Sequence, residues 1–182
     1  MMSSLANKLT MSRIIAIPVI LLLLAVPHGW AAWLALVFFA AAGITDWLDG
    51  YVARRDNEVT ALGQFLDPIA DKLLVASVIL MLVYNQQITG MTVLPAVIIL
   101  LREVAVSGLR EFLAGLRVSV PVSRLAKWKT ALQILALGFL IVGRYAPGWI
   151  PSTAIGDWGL WAAGAFTLIT AWDYWRASLK HF

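Results

Sequence analysis

Two apolar runs that share one turn decide the fold: Ile14–Val26 (IIAIPVILLLLAV) and Trp30–Thr45 (WAAWLALVFFAAAGIT), with Pro27-His28-Gly29 between them. Each run, with its flanking residues, approaches the roughly 20 apolar residues that a membrane-spanning helix needs. Of the 182 residues, 61% are hydrophobic and only 13% are charged. A soluble domain of this size could not bury so much apolar side chain. The sequence therefore predicts an all-α integral membrane protein, and it excludes a soluble enzyme, a disordered chain and a nucleic-acid-binding module as first interpretations.

The hydropathy pattern predicts six transmembrane helices, which are separated by Pro, Gly or polar residues. Neither an internal repeat nor a low-complexity tract interrupts the pattern, so residues 1–182 are predicted to form a single transmembrane domain. The first span is predicted to be retained, because no A-x-A-like cleavage site directly follows it. The approximate bounds of the six spans are Leu9–Val26, Trp30–Arg54, Asp67–Gln86, Met91–Leu113, Lys127–Gly143 and Thr153–Trp175.

Basic residues mark one side of the membrane. Of the links on the other side, only the one before the sixth span is basic, with Arg144. The positive-inside rule then places both termini in the cytoplasm and predicts a multi-pass protein of the cell membrane, most simply a bacterial inner membrane. The chain has 14 Lys and Arg against 10 Asp and Glu. We interpret this excess of basic residues as one that orients the protein in the membrane and attracts phosphate groups. The basic residues of the predicted cytoplasmic side include Lys8, Arg13, Arg54, Arg55, Arg117, Arg124, Arg176 and Lys180.

Four of the ten acidic residues lie between positions 46 and 71. Asp46 and Asp49 are three residues apart, and Asp67 and Asp71 are four apart, so each pair shares one helix face. Both pairs are predicted at the cytoplasmic ends of adjacent helices, where four carboxylates could converge. Such a group repels itself unless cations lie among it, and hard oxygen ligands suit Mg²⁺, Mn²⁺ or Ca²⁺. Two divalent ions would balance four charges and could clamp a phosphoryl group during in-line displacement.

The residues around these acids fit the same chemistry. Gly50 and Gly63 remove side chains next to the carboxylates and let a ligand approach the backbone. Arg54 lies about one helical turn after Gly50 and could bind a phosphate or pair with an acid. The chain has no cysteine, so disulfides, zinc–thiolate sites and thiol catalysis are excluded.

The string D-x2-D-G-x2-A-R-x8-G-x3-D-x3-D, at residues 46–71, resembles the signature of the CDP-alcohol phosphotransferases at every position. The resemblance implies a six-helix membrane enzyme, commonly a homodimer, that requires Mg²⁺ or Mn²⁺ and displaces CMP from a CDP-linked lipid. It implies that two metal ions are held by Asp46, Asp49, Asp67 and Asp71. Asp71 would also be the base for the acceptor hydroxyl, and the cytidine diphosphate would be surrounded by Gly50, Ala53, Arg54 and Gly63.

Basic residues in the later spans suggest an acceptor that carries its own phosphate. Arg102 and Arg110 lie two turns apart on one face of the fourth span, with Ser107 between them. Ionisable groups within spans are rare and usually face a bundle interior or a wet cavity. Lys127 and Lys129 begin the fifth span. These five residues could form a basic pocket, but Arg102–Glu103 and Arg110–Glu111 could instead be structural ion pairs, and the lysines could be headgroup anchors.

Three further blocks resemble the members of the family that use sn-glycerol 3-phosphate as acceptor: L-T-x-x-R at residues 9–13, L-R-E-x3-S-x2-R-E at 101–111 and K-x-K-T at 127–130. The resemblance implies that CDP-diacylglycerol and glycerol 3-phosphate give phosphatidylglycerophosphate and CMP. Thr10 and Arg13 would line the entrance for the CDP-lipid, or would simply begin the first helix.

Other functions remain compatible with the sequence. The same family accepts other alcohols, such as inositol phosphate, serine or phosphatidylglycerol. A cation transporter could also use carboxylates, but these would normally lie near the bilayer midplane and often in interrupted helices. A membrane scaffold or assembly protein is a further alternative, but that function would not explain the arrangement of the charged residues.

Overall fold

The computed structural model describes the backbone of residues 5–56, 61–115 and 124–178. Within those ranges it describes every side chain except those of residues 5–9, 46–56, 61–65, 67, 114, 124, 126–127 and 177. The described backbone is helical and contains no strand. Its α-helices are α1 (Leu5–Ala25), α2 (Gly29–Asp56), α3 (Ala61–Tyr84), α4 (Val93–Gly115), α5 (Arg124–Val142) and α6 (Ser152–Ser178), with short 3-10 helices at Gly90–Thr92 and Gly143–Tyr145.

The all-α prediction is confirmed, and each predicted span overlaps one of the six described α-helices. The bounds differ most at the start of α3, which begins at Ala61 rather than at Asp67, whereas α2 ends at Asp56, close to the predicted Arg54. Asp49 and Asp67 each lie about 10 Å inside the helix ends. The predicted start of the third span was wrong because hydropathy marks the apolar stretch, whereas backbone hydrogen bonding extends the helix through the residues before it.

The helices pack as one bundle. α1 lies against α2 and α3, α5 lies against α2 and α6, and α4 packs mainly on α6 and touches α3. All six helices contribute to one apolar core, so the burial of each helix depends on the others. Fully or nearly fully buried members of this core include Ile20, Phe39, Leu82, Ile99, Leu137 and Leu160.

Small residues allow the close approach of α5 and α6. A Cβ atom built on Gly156 would lie 2.5 Å from Cγ of Leu140, and one built on Gly159 would lie 2.9 Å from Cβ of Ala136. Neither distance is compatible with ordinary van der Waals contact. Glycine and alanine are common where helices in membranes approach closely, because packing rather than water exclusion drives their association. This contact fixes α5, which carries part of the candidate site, against α6.

Polar contacts join the helices at the end of the bundle where α1 turns into α2. The side-chain amide of Asn85 donates to the carbonyl of Leu24 at 2.6 Å, and Arg144 donates to the carbonyl of Asn85. Gly143 has a φ of +33° and lies against the buried amide of Gln87, where a Cβ would clash at 2.3 Å. Glycine is therefore required at this position for two reasons: it adopts the positive φ without strain, and it has no Cβ atom to clash with Gln87. These contacts lie at the opposite end of α2 and α3 from the aspartates.

The outer surface of the bundle is strongly apolar. Large aliphatic side chains project outward from α1, α2, α3, α4 and α5, among them Leu22, Val37, Leu80, Val104 and Leu135, each more than 60% exposed. Contiguous apolar surface on this scale marks a contact with lipid or protein. Within the described residues, Gly90–Leu113 is long and apolar enough to cross a membrane, and Thr10–Ala25 and Gly29–Thr45 are shorter apolar helices.

Candidate active site

The aspartates of the motif lie on two helices that both pack against α1. Asp46 and Asp49 lie in the second half of α2, and Asp67 and Asp71 lie in the first half of α3. Of these four side chains, the structure describes that of Asp71, which is half-buried. Asp46, Asp49 and Asp67 are outside the described side chains, as are Gly50, Ala53, Arg54 and Gly63. Their predicted roles stay predictions.

A buried ion pair lies beside Asp71. Nζ of Lys129, on α5, donates to Oε1 of Glu103, on α4, and the side chains of these residues are 4% and 21% exposed. The Asp71 carboxylate, on α3, contributes to the electrostatic environment of the Lys129 ammonium. Lys129 therefore connects a carboxylate of the motif, on α3, to the charged residues on α4. Charge is concentrated at this level of the bundle interior, where the groups of opposite sign compensate one another.

Arg102 completes the charged group. Nη1 of Arg102 donates to Oε1 of Glu103 at 3.3 Å, and Nη2 donates to Oγ1 of Thr170, on α6, also at 3.3 Å. We call Arg102, Glu103 and Lys129 the charged triad. Two cations and one carboxylate leave the triad with one net positive charge next to Asp71. Ser107 lies one turn from Glu103, and its hydroxyl donates to the Glu103 carbonyl at 2.6 Å.

The other predicted phosphate ligands are placed differently. Arg110 lies two turns after Arg102 and is exposed, with its guanidinium over the ring of Tyr174 at 5.7 Å from the ring centroid. Arg102 and Arg110 both contact α6, so the shared face predicted from their spacing is present. Arg110 nevertheless pairs with an aromatic ring rather than with the triad. The side chain of Lys127 is outside the described side chains.

Thr10 and Arg13 face inward from the first half of α1. Each is only 1% exposed, and each takes part in an interaction within the fold. A residue that merely began a helix at the surface would not need such burial. Both side chains therefore lie in the interior of the bundle, and their role in binding the CDP-lipid stays a prediction.

Sequence reasoning missed two buried polar residues in this region. Gln133 lies one turn after Lys129 on α5 and is 2% exposed, and Thr167 lies three residues before Thr170 on α6 and is fully buried. Oε1 of Gln133 and Oγ1 of Thr167 have no hydrogen-bond partner among the described residues. The spacing of Gln133 from Lys129 was the available signal, because residues four apart share a helix face.

The donor set of the motif fits a hard divalent cation. It consists of four carboxylates without a histidine or thiol, and such oxygen ligands favour Mg²⁺ and Mn²⁺ over softer metals. Among the described side chains, no three carboxylates or histidines are grouped so that they could hold a metal ion. Three of the four aspartates are not in that set, so the fit rests on donor chemistry and helix position.

Two helices that carry paired aspartates, packed with a charged bundle interior, define the class to which the chain belongs. The sequence model of the CDP-alcohol phosphatidyltransferase family matches residues 3–169 of the chain. The chain is therefore a member of this family. The membership predicted from the aspartate motif is confirmed.

Curated relatives from three bacteria cover nearly the whole chain and share one name. The CDP-diacylglycerol–glycerol-3-phosphate 3-phosphatidyltransferase of Rickettsia typhi is 48% identical over 181 residues, covering 100% of both chains. The protein of the same name from Pseudomonas fluorescens is 41% identical, covering 96% of this chain and 90% of its own. That from Bacillus subtilis is 38% identical, covering 95% and 94% respectively.

Proposed function

We propose that this chain transfers the phosphatidyl group of CDP-diacylglycerol to sn-glycerol 3-phosphate, giving phosphatidylglycerophosphate and CMP. The observation that carries the proposal is the end-to-end alignment, at 48% identity, with a relative named for this reaction. The net positive charge of the triad supports the same acceptor, because an acceptor that carries a phosphate needs positive charge near the reacting centre.

The proposed membrane architecture is a single domain of residues 1–182 with six spans, both termini in the cytoplasm and the active site facing the cytoplasm. The apolar outer surface and the overlap of six described helices with six apolar stretches support this arrangement. The bias of basic residues toward one side supports the orientation. In a bacterium, the enzyme would lie in the inner membrane, and by family resemblance it would act as a homodimer.

Members of this family generally use a divalent metal. For this chain we propose two Mg²⁺ or Mn²⁺ ions, with Asp46, Asp49, Asp67 and Asp71 as the ligands. Such ions would neutralise the charge of the diphosphate and would stabilise the phosphate oxygen of the leaving group. Thr10, Arg13, Gly50, Ala53, Arg54 and Gly63 are proposed to hold the CDP-lipid itself, with its acyl chains in the bilayer.

In the proposed step, the primary hydroxyl of glycerol 3-phosphate attacks the β-phosphorus of the CDP-lipid. A new P–O bond forms to the acceptor oxygen, and the bond between the β-phosphorus and the oxygen of CMP breaks. Asp71 accepts the hydroxyl proton, and CMP leaves with the bridging oxygen. Assistance by a positioned base typically contributes about 10²–10⁴-fold to the rate.

The phosphate of the acceptor is proposed to bind to Lys129 and Arg102, with Arg110, Lys127 and Ser107 contributing. Before the acceptor binds, the carboxylate of Glu103 offsets the charge of Lys129 in the bundle interior. A phosphate would then share Lys129 and Arg102 with Glu103. The stacking of Arg110 on Tyr174 holds its guanidinium along the face of α6 that also carries Thr170.

The acceptor panel is the direct test of the proposed function. Purified protein in detergent or nanodiscs is given CDP-diacylglycerol with glycerol 3-phosphate, inositol phosphate, serine or phosphatidylglycerol, and CMP release and lipid product are measured. We expect turnover with glycerol 3-phosphate and phosphatidylglycerophosphate as product. Turnover with a different acceptor only would agree with membership of the family but reject glycerol 3-phosphate as the substrate. If none of the four acceptors led to CMP release, transferase activity of this kind would be rejected.

A further inference from the structure

Gln133 is a buried polar side chain whose amide oxygen has no hydrogen-bond partner in the described part of the chain. It is 2% exposed, and its Oε1 accepts no hydrogen bond from the described residues. A carbonyl oxygen buried without a hydrogen bond is costly in the interior of a protein, and more so in a membrane environment without water. No described residue supplies that hydrogen bond, so a donor on a bound molecule would remove this cost in stability.

Gln133 lies beside the candidate active site. It shares a face of α5 with Lys129, one turn deeper into the bundle, about 6 Å along the helix axis. Lys129 interacts electrostatically with Asp71 and pairs with Glu103. On the neighbouring helix, the Thr167 hydroxyl is also buried without a partner among the described residues, three positions from the Thr170 hydroxyl that binds Arg102. Polar atoms without a partner among the described residues therefore lie on α5, which carries Lys129, and on α6, which contacts Arg102.

We propose that Gln133 determines acceptor specificity by accepting a hydrogen bond from the secondary hydroxyl of glycerol 3-phosphate. This inference rests on the proposed function. With the acceptor phosphate on Lys129 and the attacking primary hydroxyl near Asp71, the C2 hydroxyl is the remaining donor of the molecule. It binds Oε1 of Gln133, and its position selects a three-carbon acceptor with a central hydroxyl over one without it.

The test compares two acceptors in the full-length protein. Glycerol 3-phosphate has the C2 hydroxyl, and 3-hydroxypropyl phosphate differs only by lacking it. The ratio of kcat/KM for the two acceptors is measured for the parent protein and for Gln133→Met, which keeps the length of the side chain and removes the amide. Gln87→Met is the matched control, because it removes a buried glutamine at the other end of the bundle. Gln133→Leu serves as a second substitution if the Met variant does not fold.

We expect the parent protein and Gln87→Met to prefer glycerol 3-phosphate by about tenfold, the size of one good hydrogen bond. Gln133→Met is expected to lose this preference. Its kcat/KM for glycerol 3-phosphate should fall, whereas its kcat/KM for 3-hydroxypropyl phosphate should stay the same as in the parent protein. An unchanged ratio in a folded Gln133 variant would overturn the proposal, as would an equal loss with both acceptors. If the parent protein fails to use either acceptor, the proposed function itself fails, which is a distinguishable result.

Discussion

Lys129 and Glu103 form an ion pair that joins α5 to α4 in the interior of the bundle. Glu103 also accepts a hydrogen bond from Arg102, which in turn donates to Thr170 on α6. Removal of Glu103 leaves two cations in the bundle interior without their carboxylate, whereas removal of Lys129 leaves the Arg102–Glu103 pair in place. The structural and functional contributions of Lys129 can therefore be separated by experiment.

The first prediction concerns the stability of this pair. Glu103→Gln and Lys129→Met are each expected to lower the midpoint of thermal unfolding in detergent, and the double variant is expected to lose less than the two effects combined. The coupling free energy should be about 1–3 kcal/mol, as for other residues in direct contact. Glu111→Gln, an exposed position on the same helix as Glu103, is the control and should change little. Strictly additive effects would contradict the pair as a stabilising contact.

The second prediction concerns acceptor binding. Lys129→Ala is expected to raise KM for glycerol 3-phosphate by about tenfold or more, the typical loss of a charge-assisted hydrogen bond, and to leave KM for CDP-diacylglycerol nearly unchanged. Steady-state CMP release at varied concentrations of each substrate measures both constants. Arg176→Ala removes an exposed cation that stacks on Trp172 and should affect neither. Equal increases in both KM values would mean that Lys129 supports the whole site rather than the acceptor phosphate.

The third prediction assigns a role to Asp71. Asp71→Asn is expected to lower kcat by about 10²–10⁴-fold because the amide cannot accept the proton of the acceptor hydroxyl. Some binding of the CDP-lipid should persist, as measured with a non-reacting CDP-lipid analogue. Asp173→Asn, an exposed carboxylate on α6, controls for loss of charge. Normal turnover by Asp71→Asn would remove this residue from the catalytic step.

The fourth prediction concerns the α5–α6 contact. Gly156→Ala places a Cβ atom 2.5 Å from Cγ of Leu140 and 3.1 Å from the carbonyl of Ala136, so the two helices must separate. Overpacking of this kind costs about 1–3 kcal/mol of the free energy of unfolding. Gly108→Ala, where a Cβ meets nothing within 4 Å, should be neutral or slightly stabilising through helix propensity. An undiminished unfolding midpoint for Gly156→Ala would show that the helices are not held this closely.

The helices and the shared face of Arg102 and Arg110 could be predicted from the sequence because hydropathy and helical spacing determine both. The pairing of Glu103 with Lys129 could not, because it depends on which helices are neighbours, and the hydropathy pattern contains no information on neighbours. The sequence suggested instead an ion pair between the adjacent residues Arg102 and Glu103, which is present but is only part of the triad.

The extent of α3 was underestimated for a related reason. Gly63 and Gln64 precede Asp67, so this stretch looks like a link between spans, although the backbone is helical from Ala61. Gln133 was overlooked because a single glutamine in an apolar stretch has no distinctive pattern. Its importance follows only from burial and from the absence of a partner for Oε1 among the described residues.

Chelation tests most directly whether the four aspartates support phosphatidyl transfer through divalent cations. CMP release from CDP-diacylglycerol and glycerol 3-phosphate is measured in EDTA and again after Mg²⁺ or Mn²⁺ is added in excess. The proposed metal site predicts that activity is lost in EDTA and restored by the added ion. Full activity in EDTA would contradict it.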